Sequence, residues 1–520
     1  MNERSSFTLI ELLVVIAILA ILSVTVVLVI NPADIIRQTR DSTRLTDLNN
    51  LNKAIGVFTV SNAGSFVGTS TVIYVSVPDS SDTCANLNLP ALPGSYTYHC
   101  VASASSTKNN GTGWVPIDFT QISYGAAISK LPIDPVNSTT TGEYYSYIPG
   151  GSWELNGILT SNKYRYNASI HKENMPGVLS IGSNKTLSPI YNNSGLIAYY
   201  PLAQENQVFQ GTDLLSGWSL QSGWTTGTVT VNSPNQFTGN CCGGGGIYKA
   251  LFSVGSRYSL VITGTYSGAF AVYNASSNSN LLHTGSGGVI SATINFVAVD
   301  SYINLTSYVT GGVVNITSMT LKKEQAADVT PNSYHGTITP GSSIGYATNQ
   351  KNVTNRAYDF DGGTTSGTYI STSNVNSFEG DYSVSLWFQK DDGNYNHLIG
   401  KAGSLVNGAV FWLRVANTGA GGKLQYSING SQIESTTVPV AGQWYHAVIT
   451  RDGSLRKIYV NGILENSGAI GSPESNSNVL EIGRKPGIAE QSFNGRISDV
   501  RVYSRALSAA EVLAIYNSTR

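Results

Sequence analysis

The chain has 520 residues, with 30 Lys and Arg against 31 Asp and Glu, and only 12 % of it is charged. This near-neutral balance excludes the basic excess of a nucleic-acid binder and the composition of a disordered charged tail. The length predicts roughly three domains of about 150 residues, while 54 Gly and 29 Tyr point to many short strands joined by turns, and 4 Cys are too few for a disulfide scaffold.

A short polar leader, Met1–Ser6, precedes the apolar run FTLIELLVVIAILAILSVTVVLVI, Phe7–Ile30, whose one ionisable side chain is Glu11. As a helix this run reaches about 36 Å, enough to cross a hydrocarbon layer of ~30 Å. A secretory signal would have a shorter apolar core and a small-residue cleavage site behind it. A carboxylate in such a helix costs about 2.5–3.5 kcal/mol near the bilayer centre, so Glu11 needs a partner. A free amine at Phe7 of a neighbouring chain would supply one.

The leader, then Phe7-Thr8-Leu9-Ile10-Glu11, then Leu12, Leu13 and the apolar helix resemble the type IV prepilin family. The resemblance implies cleavage by a prepilin peptidase between Ser6 and Phe7 and methylation of the new Phe7 amine. It also implies that Glu11 steers the chain into a filament with other pilin-like subunits through the filament assembly machinery. Residues 7–30 would hold the chain in a bacterial-type inner membrane before assembly, and the filament would then carry it to the cell surface. Ser6 departs from the Gly usual before the cut, while keeping a small residue there.

Asn31-Pro32 should interrupt the helix, since Pro lacks an amide donor. A helical pattern resumes with Leu45, Leu48, Leu51, Ile55 and Phe58, and should end near Ser61-Asn62-Ala63-Gly64. The pairs Asp34/Arg37, Arg37/Asp41, Asp41/Arg44 and Arg44/Asp47 are at helical spacing and are expected on its solvated side. VIYVSV (Val72–Val77), SYTYHC (Ser95–Cys100), EYYSYI (Glu143–Ile148) and SWELNGIL (Ser152–Leu159) read as strands. LPIDPVN, Leu131–Asn137, followed by Tyr-rich strands resembles the closing region of small pseudopilins. Residues 31–178 are therefore expected to form a pilin-like α+β stalk and globular domain, with 179–194 a polar linker. A Cys84–Cys100 disulfide, if formed, would contribute about 3 kcal/mol in the chain-entropy model. No zinc-type spacing accompanies the pair.

Beyond the linker stand GLIAYYPL (Gly195–Leu202), YDFDGG (Tyr358–Gly363), AGQWYHAVITRDGSLRKIYVNGIL (Ala441–Leu464) and FNGRISDVRVYSRALSAAEVLAIYN (Phe493–Asn517). Val384, Leu386 and Phe388 alternate with Ser383, Ser385 and Trp387, as a sheet with one buried face requires. Ser508 and Glu511 form a capping box for a closing helix. Together these stretches resemble the laminin-G-like, concanavalin-type jelly roll. In that family the opening strand is followed closely by an Asp-x-x-x-Asn-x-x-His-Gly turn, here Asp328, Asn332, His335 and Gly336, far downstream. An insertion is therefore expected: 195–205 plus 325–520 as the jelly roll, and 206–324 as a second β-sandwich similar to carbohydrate-binding modules and to tail-fibre sandwich modules. Cys241 and Cys242 inside it are adjacent, either as a vicinal disulfide or as two thiols. The fold class is mainly β with one long N-terminal α-helix, a pilin-like α+β domain and two sandwiches, one inserted in the other.

Some jelly rolls of this type are glycoside hydrolases, and glucanases of this fold carry Glu-x-Asp-x-x-Glu on one strand; here Glu379/Asp381 and Asp391/Asp392 lack the third member. No His of His99, His171, His283, His335, His397 and His446 lies within four residues of another, and His446 reads as packing. No enzyme activity and no cofactor are expected. Asp359, Asp361, Asp391 and Asp392 are acidic groups available for rim calcium, with surface turns the commoner reading of such residues and no ligand assigned. Tyr395, Tyr369 and Trp224 are candidate platforms for sugars. The expected function is a surface filament subunit, low in copy or at the tip, displaying sandwiches that bind glycans or surface proteins. The alternative is a minor pseudopilin of a type II secretion or DNA-uptake machine, with a membrane-anchored glycan-active enzyme behind both; no specific nucleic-acid partner is expected.

Overall fold

The computed structural model describes residues 13, 14, 16 and 32–520, apart from 166, 168, 173–174, 210–212, 222–223, 227–228, 240–245, 278, 286–287, 308, 340–344, 363–366, 373–374, 376–377, 392–395, 403–408, 418–420, 471–478 and 486–491. Ser6, Phe7, Glu11, Cys241, Cys242, Asp392 and Tyr395 lie outside the described residues. Among the described residues no helix is long and apolar enough to cross a membrane, and the run Phe7–Ile30 falls almost wholly outside them. The chain divides into two compact units, Met1–Asn193 with Ser508–Arg520, and Ser194–Leu507.

In the first unit a helix runs over Pro32–Ser61 of the described residues, and the interruption expected at Asn31-Pro32 lies at their edge. Leu48, Leu51, Ala54, Ile55 and Phe58 are buried in one cluster with Trp114, Tyr145, Tyr147 and Leu155. The helix stops where Asn62 N donates to Phe58 O and Gly64 takes φ +82°. Its sheet has six strands in the order Thr97–His99, Val72–Val75, Ser146–Pro149, Trp153–Ile158, Met175–Gly182 and His171–Lys172. The first two pair in parallel and the others antiparallel.

The expectation of a solvated charge stripe on this helix is wrong. Asp41 and Arg44 have no exposed surface, and Asp34 is nearly buried. The Arg44 guanidinium grips Asp134 with two bonds, from Nε at 2.6 Å and Nη2 at 2.9 Å. Nη2 also donates to Glu143 Oε2 at 2.6 Å and Nη1 to Asp41 Oδ1 at 2.8 Å. Asp41 accepts further from Thr160 N, Ser161 N and Ser161 Oγ. Asp134 belongs to the LPIDPVN stretch, so this cluster ties the helix to that loop. Burial works against charge on Arg44, but the hydrogen bonds and charge of Asp134, then those of Glu143, hold its pKa above the usual range.

The expected 179–194 linker is also corrected. Residues to Gly182 continue a strand, and Ile190 and Tyr191 are buried in a cluster with Cys84, Cys100, Ala510 and Ala514. Ser188 N donates to the buried Glu154, which also receives Lys172 Nζ at 2.6 Å. A polar composition hid two core residues. The same cluster corrects the end of the jelly roll: the helix Ala509–Thr519 belongs to the first unit and packs beside strand Met175–Gly182. Its capping box is present, Ser508 Oγ accepting from Glu511 N while Ser508 N donates to the Glu511 side chain. Buried Arg165 donates to the carbonyls of Ser518 at 2.5 Å and Arg520 at 3.1 Å, satisfying orphan acceptors of the last turn.

Cys84 and Cys100 form a disulfide inside that cluster. Replacing both by Ala is expected to lower the first unit's stability by about 3 kcal/mol. Urea unfolding of the two forms, followed by near-ultraviolet circular dichroism, checks this.

Among the described residues the second unit contains four sheets. Two of five strands, ordered Val289–Val297, Arg257–Tyr266, Val313–Lys323, Gln236–Gly239, Val229–Ser233 and Leu281–Thr284, Phe270–Tyr273, Tyr302–Ser307, Gly246–Ala250, Thr225–Thr226, enclose a core of Phe237, Leu260, Ile262, Val272, Leu305 and Ile316. The other two sandwich a larger core. One runs Gln325–Ala326, Gly336–Thr339, Tyr369–Thr372, Leu480–Ile482, Asn396–Ala402, Ala409–Val415, Leu424–Ile428, Ser431–Glu434. The second runs Gly345–Ala347, Ala357–Asp361, Asn494–Tyr503, Tyr382–Lys390, Trp444–Asp452, Leu455–Val460, Ile463–Ala469, with Leu196–Tyr200 paired to Asn494–Tyr503.

The distant opening strand is held by the turn that should follow it. Asp328 Oδ1 accepts from Tyr199 N, Val329 N donates to Tyr199 O, and Asn332 Nδ2 donates to Ile197 O at 2.8 Å. His335 Nδ1 accepts from Asp328 N at 3.1 Å, which closes the turn. The intervening sandwich thus interrupts a local motif without separating its two halves in space.

Candidate functional site

Strand Ala409–Val415 places Phe411, Leu413 and Val415 in the core, so the period of two turns Trp412 and Arg414 to the opposite face. Register puts Trp412 beside Gly400 and Ser427, and Arg414 beside His397 and Gln425. The Arg414 guanidinium carbon lies 4.4 Å from the Trp412 ring centre, and the His397 ring meets that ring edge-on at 5.5 Å. Arg414 Nε donates to Gln425 Oε1 at 2.7 Å, and Gln425 Nε2 to Glu434 Oε1 at 2.7 Å.

Across Gly400 lies Glu481, itself opposite Ser371. Arg484 holds both oxygens of Glu481, at 2.7 and 2.6 Å, and its guanidinium lies 3.3 Å over the Tyr369 ring. Burial opposes charge on Arg484, but the hydrogen bonds and charge of Glu481 keep its pKa above the usual range. Burial and the charge of Arg414 together lower the pKa of Lys485. The face therefore carries two arginine–aromatic stacks with fixed amide and carboxylate groups between and beside them. His397, Gln425 and Glu481 are buried, and the partly exposed groups are Trp412, Arg414, Tyr369 and Arg484. Planar groups of this kind can meet ring-shaped, hydroxylated ligands by stacking and directed hydrogen bonds.

Glu481 and Glu434 stand on strands four places apart, roughly 19 Å at about 4.8 Å per strand. Glycoside hydrolysis needs two carboxylates about 5–9.5 Å apart, and both of these are already engaged by Arg484 and Gln425.

Of the proposed platforms, Tyr369 lies on this face beneath Arg484, whereas Trp224 is half-buried against the core of the inserted sandwich with Lys249 Nζ 6.0 Å from its ring. His446 is buried, bonded to Ser385 Oγ at 2.8 Å, and burial brings its pKa down to about 3, so it packs as a neutral ring. Asp359 has its pKa raised by burial, which outweighs the charge of Arg496, with Asp391 and Asp361 adding to the rise. Asp361 accepts from Thr368 N. Among the described residues no group of three or more His, Cys, Asp or Glu is placed to hold a metal ion. His397, Trp412, Arg414, Glu481 and Arg484 went unnoticed as a group in the sequence. The alternation in AVFWLRV was the visible signal for two of them.

Residues 1–27 match the prokaryotic N-terminal methylation motif, and residues 361–513 match the family model of the concanavalin A-like lectin/glucanases superfamily. The chain thus joins a type IV methylation motif to a laminin-G-like, concanavalin-type domain. No curated protein matches it. Among solved structures it is similar to domain 4 of AbnA, an extracellular GH43 arabinanase from Geobacillus stearothermophilus in complex with arabinotriose, at 21 % identity over 36 % of this chain and 92 % of that one, TM-score 0.29. It is also similar to the receptor binding domain of a botulinum neurotoxin C/D mosaic serotype, at 16 % identity over 37 % and 48 %, TM-score 0.29. The binding domain of Paraclostridial Mosquitocidal Protein 1 gives 16 % over 37 % and 49 %, TM-score 0.30. The chain covers about half the length of these last two.

Proposed function

We propose that the chain is a pilin-like filament subunit, low in copy or at the tip, whose C-terminal sandwich binds glycans. The observation that carries this is the arginine–aromatic face around Trp412 and Tyr369, displayed on a chain that begins with a methylation motif. An additional sandwich unit of Ser194–Leu507 on every subunit would crowd a helical filament, which favours sparse placement. The separation of Glu434 from Glu481 favours binding over turnover. Affinity per site should be modest, with several copies adding avidity.

Glycan-array binding of the full chain in detergent tests the reading. Trp412→Ala is expected to weaken binding about tenfold or more, as loss of a central aromatic anchor does. Polysaccharide turnover by the wild type, or binding indifferent to this change, counts against the site. The filament part has its own test. Mass spectrometry of assembled material should find an N-methylated Phe7, and Glu11→Ala should insert into the membrane yet fail to join filaments. An intact Met1 leader in filaments overturns the processing step.

A further inference from the structure

A strand at the edge of a sheet offers unpaired N–H and C=O groups to any other strand, and most edges here are blunted. Thr97–His99, His171–Lys172 and Thr225–Thr226 are only two or three residues long. Val229–Ser233 and Leu281–Thr284 each meet their neighbour through a register shift. Ser431–Glu434 and Ile463–Ala469 carry Glu434 and Glu465.

Val289–Val297 differs from all of these. It runs nine residues, VISATINFV, without charge, Pro or Gly. It pairs residue for residue with Arg257–Thr265 with no bulge, and among the described residues no strand pairs with its other edge. Val289 and Val297 are 56 % and 45 % exposed. On the opposite face Ala292, Ile294 and Phe296 pack on the core yet stay only partly covered. A further strand along this edge would complete their burial.

The strand is also complementary to itself. Laid antiparallel against a copy about Thr293, it sets Val289 against Val297, Ser291 against Asn295 and Thr293 against Thr293 on the exposed face. On the core face Ile290 meets Phe296 and Ala292 meets Ile294. Apolar meets apolar, polar meets polar, and no like charges face each other. Moving the centre by two residues leaves one Val without a partner.

We propose that this edge pairs with the same edge of a second copy of the chain, antiparallel and centred on Thr293, so that two five-stranded sheets become one. The symmetry is a two-fold, which closes on a pair and does not propagate. If the filament reading holds, the contact is a self-association device of these subunits, separate from the glycan face.

The test uses the full chain in detergent with Cys241→Ser and Cys242→Ser as background. Sedimentation velocity should show a concentration-dependent dimer. Under mild oxidation Thr293→Cys should give a disulfide-linked dimer, whereas Thr263→Cys, one strand inward on the same face, should not. Ser291→Glu with Asn295→Glu sets like charges opposite each other and should weaken association at least tenfold. Ser291→Lys with Asn295→Glu, which sets opposite charges there, should retain it. Circular dichroism confirms that these exposed changes leave the sandwich folded. A monomer at every concentration, a dimer indifferent to the like-charge pair, equal cross-linking at 263 and 293, or capture of a foreign strand without self-association overturns the proposal. None of these outcomes depends on whether the chain binds a glycan.

Discussion

Arg44→Met is expected to destabilise the first unit by about 3–5 kcal/mol, the range for removing one partner of a buried ion cluster. Methionine fills much of the same volume, so the loss reports charge rather than a cavity. Without the guanidinium, Asp41, Asp134 and Glu143 remain around a site where Arg44 and Asp41 have no exposed surface. For a unit of roughly 200 residues that loss lowers the melting temperature by roughly 10 °C. Calorimetry of the full chain should show one transition moving and the other, from Ser194–Leu507, staying. Arg44→Lys should fall between the two, since an ammonium keeps the charge but cannot fork across Asp134 while reaching Glu143 and Asp41. An unmoved transition in Arg44→Met would mean that the cluster contributes nothing to the docking of helix and loop.

Truncation after Leu507 has a larger expected effect, and at a distance in sequence. It removes a helix whose Ala510 and Ala514 share a cluster with Ile190, Tyr191 and the Cys84–Cys100 bridge. It also leaves the buried Arg165 without the carbonyls of Ser518 and Arg520. Lost apolar burial of about 1 kcal/mol per small side chain adds to a buried cation stripped of acceptors, together about 4–6 kcal/mol, a large part of a typical domain's 5–15 kcal/mol. Limited proteolysis should then cut within residues 32–193 while a fragment containing 194–507 survives. Ser508→Ala removes only the cap and should cost about 1 kcal/mol. Equal protease resistance of full-length and truncated chains would show that the first unit closes without its last helix.

Much of the sandwich was legible because strand alternation is local: Val384, Leu386 and Phe388 face the core, although Ser383, Ser385 and Trp387 are buried as well, so the expectation of a single buried face is corrected there. The displaced opening strand was legible for another reason. Its partner turn keeps its own residues, Asp328 to Gly336, wherever the chain places it. Helical charge spacing, in contrast, is the same whether a face is wet or dry. What buries Asp41 and Arg44 are Asp134, Glu143 and Ser161, about 90 to 120 positions away. The capping box of the final helix announced its start, yet its docking partner is set by Arg165, more than 350 positions earlier. The group of His397, Trp412, Arg414, Glu481 and Arg484 needed three strands in register before it formed.

The chain leaves the first unit at Ser194 and re-enters it at Ser508, and on the second unit the two crossings are neighbours. Arg505 Nε donates to Ser194 O at 2.7 Å, Ser504 N to Gly195 O at 2.7 Å, and Leu196 pairs with Tyr503. Tension on the sandwich unit is therefore carried by two covalent tethers side by side, one continuing into the buried Tyr191 and the other into the capped terminal helix. A protease that cuts one tether leaves the load on the other. A chain arranged end to end would lose its outer domain at the first cut.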